Sequence, residues 1–190
     1  MKPERYRILE KQDRAFFEGI VEKINDDWII IDNETEEAFP LEDFLYKEIR
    51  MKHLNHWYNG ILTDDFIVQY ENKQYELQDQ TYVKIRKSLS ISYQAWLEEL
   101  ADDAFFQFIR KLNELNFSIY DIIFCHNHQS FLVTKEKEGT NFFVFDNTVG
   151  VCSVHHHFHY RQGQKSDRFE YTLNTGNRIV LQALQRPSRS

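Results

Sequence analysis

The sequence predicts an α+β protein: an N-terminal β roll or small barrel, followed by two helices packed on a C-terminal antiparallel β meander. Three observations carry this. Residues 14 to 87 hold short β-branched or aromatic segments separated by Asn, Asp and Gly. Residues 92 to 115 place apolar side chains at helical spacing. Residues 120 to 184 return to short strand-like segments joined by turn formers. Helices followed by an antiparallel meander put the helices on one sheet face. The expected division is a β-rich region over 1–87, a helix-plus-meander domain over 88–185 and a flexible tail over 186–190.

Composition supports folding and narrows function. With 42% apolar residues, sixteen Phe and ten Tyr, the chain has ample material for a core. The formal net charge is −7. No long Lys/Arg block occurs, so nucleic acid is not an expected partner, because phosphate binding needs a positive footprint. The N-terminus, Met1-Lys-Pro-Glu-Arg-Tyr-Arg-Ile-Leu-Glu10, has no apolar segment of a secretory signal. No apolar run is long enough to span a bilayer. Two cysteines do not make a disulfide framework. These features lead to the expectation of a cytoplasmic protein without membrane association.

In the front half the segments are Phe17–Val21, Asp27–Asp32, Ala38–Leu41, Glu48–Met51, Trp57–Leu62, Phe66–Tyr70, Lys73–Leu77 and Tyr82–Ile85. They contain an internal repeat. Phe17-Glu-Gly-Ile-Val21, Asp26-Asp-Trp-Ile-Ile30 and Pro40-Leu-Glu-Asp43 recur as Tyr58-Asn-Gly-Ile-Leu62, Asp64-Asp-Phe-Ile-Val68 and Glu76-Leu-Gln-Asp79. Gly19 and Gly60 hold equivalent places, where a strand glycine signals a bulge or a close backbone approach. The pattern Ile49-x-Met51, a polar gap, then Trp57-Tyr58-x-Gly60-x-Leu62 resembles SH3-like and Tudor-like small barrels over about residues 45 to 86. That resemblance implies an SH3-like β roll and a module that binds peptides, modified side chains or nucleic acid. No aromatic cage is identifiable, and Trp57 and Tyr58 read as core or platform residues.

The back half opens with a helix carrying Trp96, Leu97 and Leu100. Asp102 or Asp103 is the expected N-cap of a second helix, with Phe105, Phe108, Ile109, Leu112 and Leu115 on one face. Six strands are then expected: Tyr120–His126, Ser130–Lys135, Asn141–Asp146, Val151–Tyr160, Arg168–Leu173 and Arg178–Leu184. Pairing Val144 with Ser153 and Leu132 puts Ile123, Cys125, Phe131, Val133, Phe143, Phe145, Cys152, Val154 and Phe158 on a common core face. Both cysteines then act as small buried hydrophobes, not as activated nucleophiles.

Cys152-Ser-Val-His-His-His-Phe-His-Tyr160 is the stretch richest in chemistry. Alternation along a strand turns His156 toward the core and puts His155, His157 and His159 on the opposite face. One ion can take a His-x-His pair but hardly all three, which span about 13 Å. If Phe158 pairs with Phe169, Glu170 lies beside His157. His155, His157 and Glu170 then form a two-histidine, one-carboxylate set suited to zinc or iron. His126 and His128 are expected about three strands away and offset along the strand, roughly 15–20 Å from His155. The competing reading is a polar strand face with no cofactor, open or covered by the front half. Ile122, Phe124, Leu132, Phe142 and Val144 add apolar surface to that face.

No Gly-rich phosphate loop, Gly-x-Ser-x-Gly elbow or His-Glu-x-x-His motif is present. The Asp pairs at 26–27 and 64–65 suit turns. Asp13-Arg-Ala-Phe-Phe-Glu-Gly-Ile20, Cys125-His-Asn-His128, the Cys152–Tyr160 run and Asp167-Arg-Phe-Glu-Tyr171 resemble an uncharacterised family of small soluble proteins from bacilli. That resemblance implies a bacterial origin and no particular activity. The expected function is non-enzymatic binding, with a protein or small polar ligand as partner. The alternatives are a metal-dependent enzyme built on His155, His157 and Glu170, and a weak nucleic-acid binder acting through the N-terminal barrel.

Overall fold

A computed structural model of the chain describes residues 2–185, and the tail expected at 186–190 lies outside the described residues. The chain forms two units. One runs from Ala15 to Ser88; the other joins the first fourteen residues to the chain from Leu89 onward.

The first unit is a single antiparallel sheet of eight strands: β1 (Phe16–Ile24), β2 (Asp27–Asp32), β3 (Ala38–Pro40), β4 (Glu48–His53), β5 (His56–Leu62), β6 (Ile67–Tyr70), β7 (Lys73–Glu76) and β8 (Thr81–Arg86). Their order is β3-β2-β1-β8-β4-β5-β6-β7. Asn25 and Asp26, at φ of 50° and 73°, and Leu54 and Asn55, at 47° and 63°, make the turns after β1 and β4. Two consecutive positive φ angles give the hairpin turn whose twist matches its flanking strands.

Among the described residues no ladder joins β3 to β7, so the sheet is open and the expected closed barrel does not form. β8 merges two hairpin groups, pairing with β1 from Phe16↔Arg86 to Val21↔Thr81 and with β4 from Ile49↔Ile85 to Met51↔Val83. The ends of the sheet are its shortest strands, β3 with three residues and β7 with four, which offer little ladder for closure. The sheet nevertheless curls. The rings of Trp28, on β2, and Phe66, immediately before β6, lie 6.3 Å apart although β1, β8, β4 and β5 separate β2 from β6. Val21, Ile30, Ile49, Leu62, Val68, Val83 and Ile85 fill the concave side and are fully buried.

Gly19 and Gly60 occupy matching environments. A Cβ on Gly19 would lie 2.2 Å from the carbonyl oxygen of Ile31, and one on Gly60 would lie 2.5 Å from that of Gln69. Close backbone approach, not turn geometry, excludes larger residues at both.

The second unit contains α1 (Pro3–Glu10), α2 (Ile91–Glu99), α3 (Asp102–Glu114) and the strands β9 (Ile122–His126), β10 (Lys137–Asp146), β11 (Val151–Arg161), β12 (Gln164–Leu173) and β13 (Arg178–Gln185). The sheet is an antiparallel meander, β13-β12-β11-β10-β9. α1 was not expected, and the division at residue 87 assigned it to the front half. Arg5 ties it here. Its guanidinium donates to the carbonyls of Leu97 (2.8 Å) and Leu100 (2.7 Å) at the C-terminal end of α2, and pairs with Asp102 at 2.6 Å. It also lies 4.5 Å above the Phe105 ring.

Ser90 caps α2, its hydroxyl accepting from the backbone N–H of Tyr93. The N-cap of α3 is Ala101. Asp102 and Asp103 instead sit in its first turn, where a carboxylate complements the helix dipole. The amphipathic face reads as expected: Phe105, Phe108, Ile109 and Leu112 are buried with Trp96 and Leu97 against Phe143, Phe145, Cys152, Val154, Phe169 and Tyr171 of the sheet.

The strand expected at Ser130–Lys135 is absent. A 3-10 turn over His128–Phe131 takes its place, capped by Asn127, whose side-chain oxygen accepts from Ser130 N–H. Phe131 is 72% exposed and Val133 is fully exposed. β9 therefore pairs directly with β10. A bulge between Val144 and Phe145 sets Ile122 opposite Phe145 and leaves Ile123 exposed, off the core face assigned to it.

Candidate functional site

β11 alternates as its letters require: His156 is fully buried, while His155 and His159 are exposed. The register to β12 differs from the expected one by two residues. Gln162 and Gly163, at φ of 50° and 76°, close a two-residue turn, so Arg161 pairs with Gln164, Phe158 with Asp167 and His155 with Glu170. A shift of two preserves which face each side chain occupies. Glu170 therefore stands opposite His155, with its Oε1 3.6 Å from His157 Nε2. One ligand atom from each of His155, His157 and Glu170 lies within 4.8 Å of the other two.

The surroundings of this group are specific. His157 Nδ1 lies 3.1 Å from Thr140 Oγ1. Glu170 is paired with Arg168 through Oε1 and with Arg178 through Oε2. The Arg178 hydrogen bond, with the charges of Arg168 and Arg178 behind it, holds the Glu170 carboxyl below its ordinary range. Its side chain is only 8% exposed, against 45% for Arg168 and 59% for Arg178, because the guanidinium groups overlie it on the sheet surface. His159 is separate, facing Glu138 at 3.3 Å. His126 lies opposite Phe142, which lies opposite His155. With one strand fewer than expected, His126 is two strands from His155, about 10 Å by sheet spacing.

On the other side of the same strand, His156 joins a buried polar network that sequence reasoning missed. Its Nδ1 accepts from Trp96 Nε1 at 2.9 Å and from Asn141 Nδ2 at 3.1 Å. Indole is a donor only, so the imidazole proton sits on Nε2. That Nε2–H donates to Asp167 Oδ1 at 2.9 Å, and the Tyr160 hydroxyl donates to the same oxygen at 2.6 Å. Burial lowers the basicity of His156 against the opposing pull of Asp167. Two donors at Nδ1 fix it as neutral. The Asn141 side-chain oxygen accepts from Gln129 N–H, tying the 3-10 turn to β10. Trp96, Gln129, Asn141 and His156 have no solvent exposure, so the His156–Asp167 pair is part of the core. The only legible signal was the inward His156 itself.

The two cysteines are unpaired. Burial pushes the Cys152 thiol up to about 11 and raises that of Cys125. Neither is an activated nucleophile.

A cleft of about 340 Å³ opens in the first unit, lined by Met51, His53, Tyr75, Glu76, Gln78 and Thr81 among others. The Tyr58 ring lies 5.0 Å from that of Tyr75. Residues 15–88 carry sixteen acidic and eight basic side chains, a formal charge of −8; the rest of the chain carries fourteen and fifteen, or +1.

An acidic, open β sheet and a separate helix-on-meander unit with a histidine face define a two-unit α+β protein. A family model described as "Protein of unknown function (DUF2777)" matches residues 3–183, and the chain belongs to that family. It is 26% identical over 183 residues to the uncharacterized protein YisN of Bacillus subtilis (strain 168), covering 96% of this chain and 93% of that one. No solved structure matches.

Proposed function

We propose that this is a non-enzymatic binding protein whose acidic N-terminal unit takes a small polar ligand, or a protein side chain, bearing a cationic group. The observation that carries this reading is the cleft at Met51, His53, Tyr75 and Glu76, set in a unit with twice as many acids as bases. Its volume of about 340 Å³ falls in the range of small-molecule sites. Tyr75 offers an aromatic surface and Glu76 a charge to such a group. The same acidity speaks against nucleic acid.

The strand path over residues 48–86, in which β8 returns beside β4, supports reading this segment as an SH3-like roll held open by β1 on the far side of β8. A cytoplasmic setting fits two unpaired thiols. No helix among the described residues is long and apolar enough to cross a membrane. A metal-dependent enzyme gains less support. The cleft described in the second unit, about 190 Å³, is lined by Glu99, Lys137, Tyr160 and Lys165 among others, and not by His155, His157 or Glu170.

Titration of ¹⁵N-labelled protein with arginine amide and lysine amide tests the reading. Saturable shifts at His53, Tyr75, Glu76 and Thr81, weakened in Glu76→Gln, are expected. Shifts absent from these residues, or unchanged by Glu76→Gln, would overturn it.

A further inference from the structure

We propose that His155, His157 and Glu170 hold a divalent transition-metal ion, zinc or ferrous iron, on the outer face of the C-terminal sheet. The site lies in the second unit and does not depend on the cleft reading.

The backbone supplies the convergence. Residues two apart on β11 present both imidazoles to one face, and the ladder sets Glu170 directly across from His155. The three ligand atoms lie within 4.8 Å of one another, so modest side-chain rotation brings them to the roughly 2.0–2.2 Å bond lengths that zinc requires. His157 is oriented for the task. With Nδ1 engaged by Thr140 Oγ1, its Nε2 has no hydrogen-bond partner among the described residues and faces Glu170. An imidazole whose second nitrogen is fixed by a neighbour is the usual arrangement of a ligating histidine.

Arg168 and Arg178 are the competing groups. Both contact Glu170, whose own side chain is 8% exposed, while theirs are 45% and 59% exposed, so either guanidinium can swing into solvent to admit an ion. A carboxylate has about four lone-pair positions, so it can bind an ion while retaining one guanidinium as an outer partner. His159 is directed to Glu138 and takes no part. Two imidazoles and one carboxylate favour a borderline ion over calcium or magnesium, and leave coordination positions open to solvent.

The test uses full-length, tag-free protein stripped with a chelator and titrated with Zn²⁺ by calorimetry and with Co²⁺ by visible absorption. One ion per chain is expected. Uptake should disappear in His155→Ala/His157→Ala and weaken about tenfold or more in Glu170→Gln, with far-ultraviolet circular dichroism unchanged. No saturable uptake up to about 100 µM Zn²⁺ would overturn the proposal. So would an affinity that Glu170→Gln leaves intact, since that marks a two-histidine chelate alone.

Discussion

The indole nitrogen of Trp96 donates to Nδ1 of His156 at 2.9 Å, joining positions sixty residues apart in the chain. This bond and that from Asn141 decide which imidazole nitrogen carries the proton. Long-range ¹H–¹⁵N spectra should therefore show His156 as the neutral Nε2–H form. Trp96→Phe removes one donor within a buried network and should lower unfolding stability by about 1–3 kcal/mol, read by urea denaturation.

Asp102 should show its contribution in acid. Hydrogen bonds from Lys2 and then Arg5 lower its carboxyl below the ordinary 3.8. A group more acidic in the folded chain than in the unfolded one stabilises above the unfolded value, and that stability is lost as pH falls through the folded value. Asp102 is 44% exposed, so the effect is modest. Asp102→Asn should cost about 0.5–1 kcal/mol at pH 7, with the difference from wild type shrinking and then vanishing as pH falls from the unfolded value through the lower folded one. Urea titrations across that range measure it.

Gly19→Ala and Gly60→Ala should each destabilise the first unit by about 1–3 kcal/mol, because the added methyl meets a backbone carbonyl that cannot rotate away. Hydrogen exchange should locate the loss in residues 15–88. Wild-type stability in both variants would contradict the close approach.

Thiol titration should separate the two cysteines. Cys152 is fully buried with its thiol at about 11, and should react with an aromatic disulfide reagent only on unfolding. Cys125 is partly exposed with a raised thiol, and should react slowly in the native protein. Mass mapping after timed labelling assigns each.

If an ion displaces Arg178 from Glu170, then Arg178→Ala removes both a competitor and a repelling charge. Zn²⁺ should bind that variant about two- to tenfold more tightly, a change of about 0.4–1.4 kcal/mol, measured by calorimetry.

Much of the second unit was legible because its periodicities are undiluted. The apolar face of α3, the Val144↔Ser153 pairing and the inward His156 follow from spacing alone. Glu170 reached the right face despite a register two residues off, since strand periodicity forgives even shifts. Phe131, Leu132 and Val133 misled because apolar letters do not reveal whether a segment has a ladder partner; the capping side chain of Asn127 decided that segment. The sheet's strand order, with β8 between β1 and β4 and with β3 and β7 left at the ends, is a long-range choice that local spacing does not encode. α1 was hidden because Arg5 finds its partners more than ninety residues away.

Arg5 also bears on how this chain is assembled. The backbone N–H of Lys87 bonds to the carbonyl of Ala15 at 3.0 Å, so the first unit starts and finishes at one point. It is an insertion: the chain begins the helical unit, leaves to complete a sheet, and returns where it left. During synthesis α1 has no docking place until α2 has emerged, whereas the sheet is complete earlier. An inserted module with adjoining ends can be exchanged, lengthened or excised without altering the gap its host must close. The host therefore meets the same short closure, from Ala15 to Lys87, whatever the sheet between them contains.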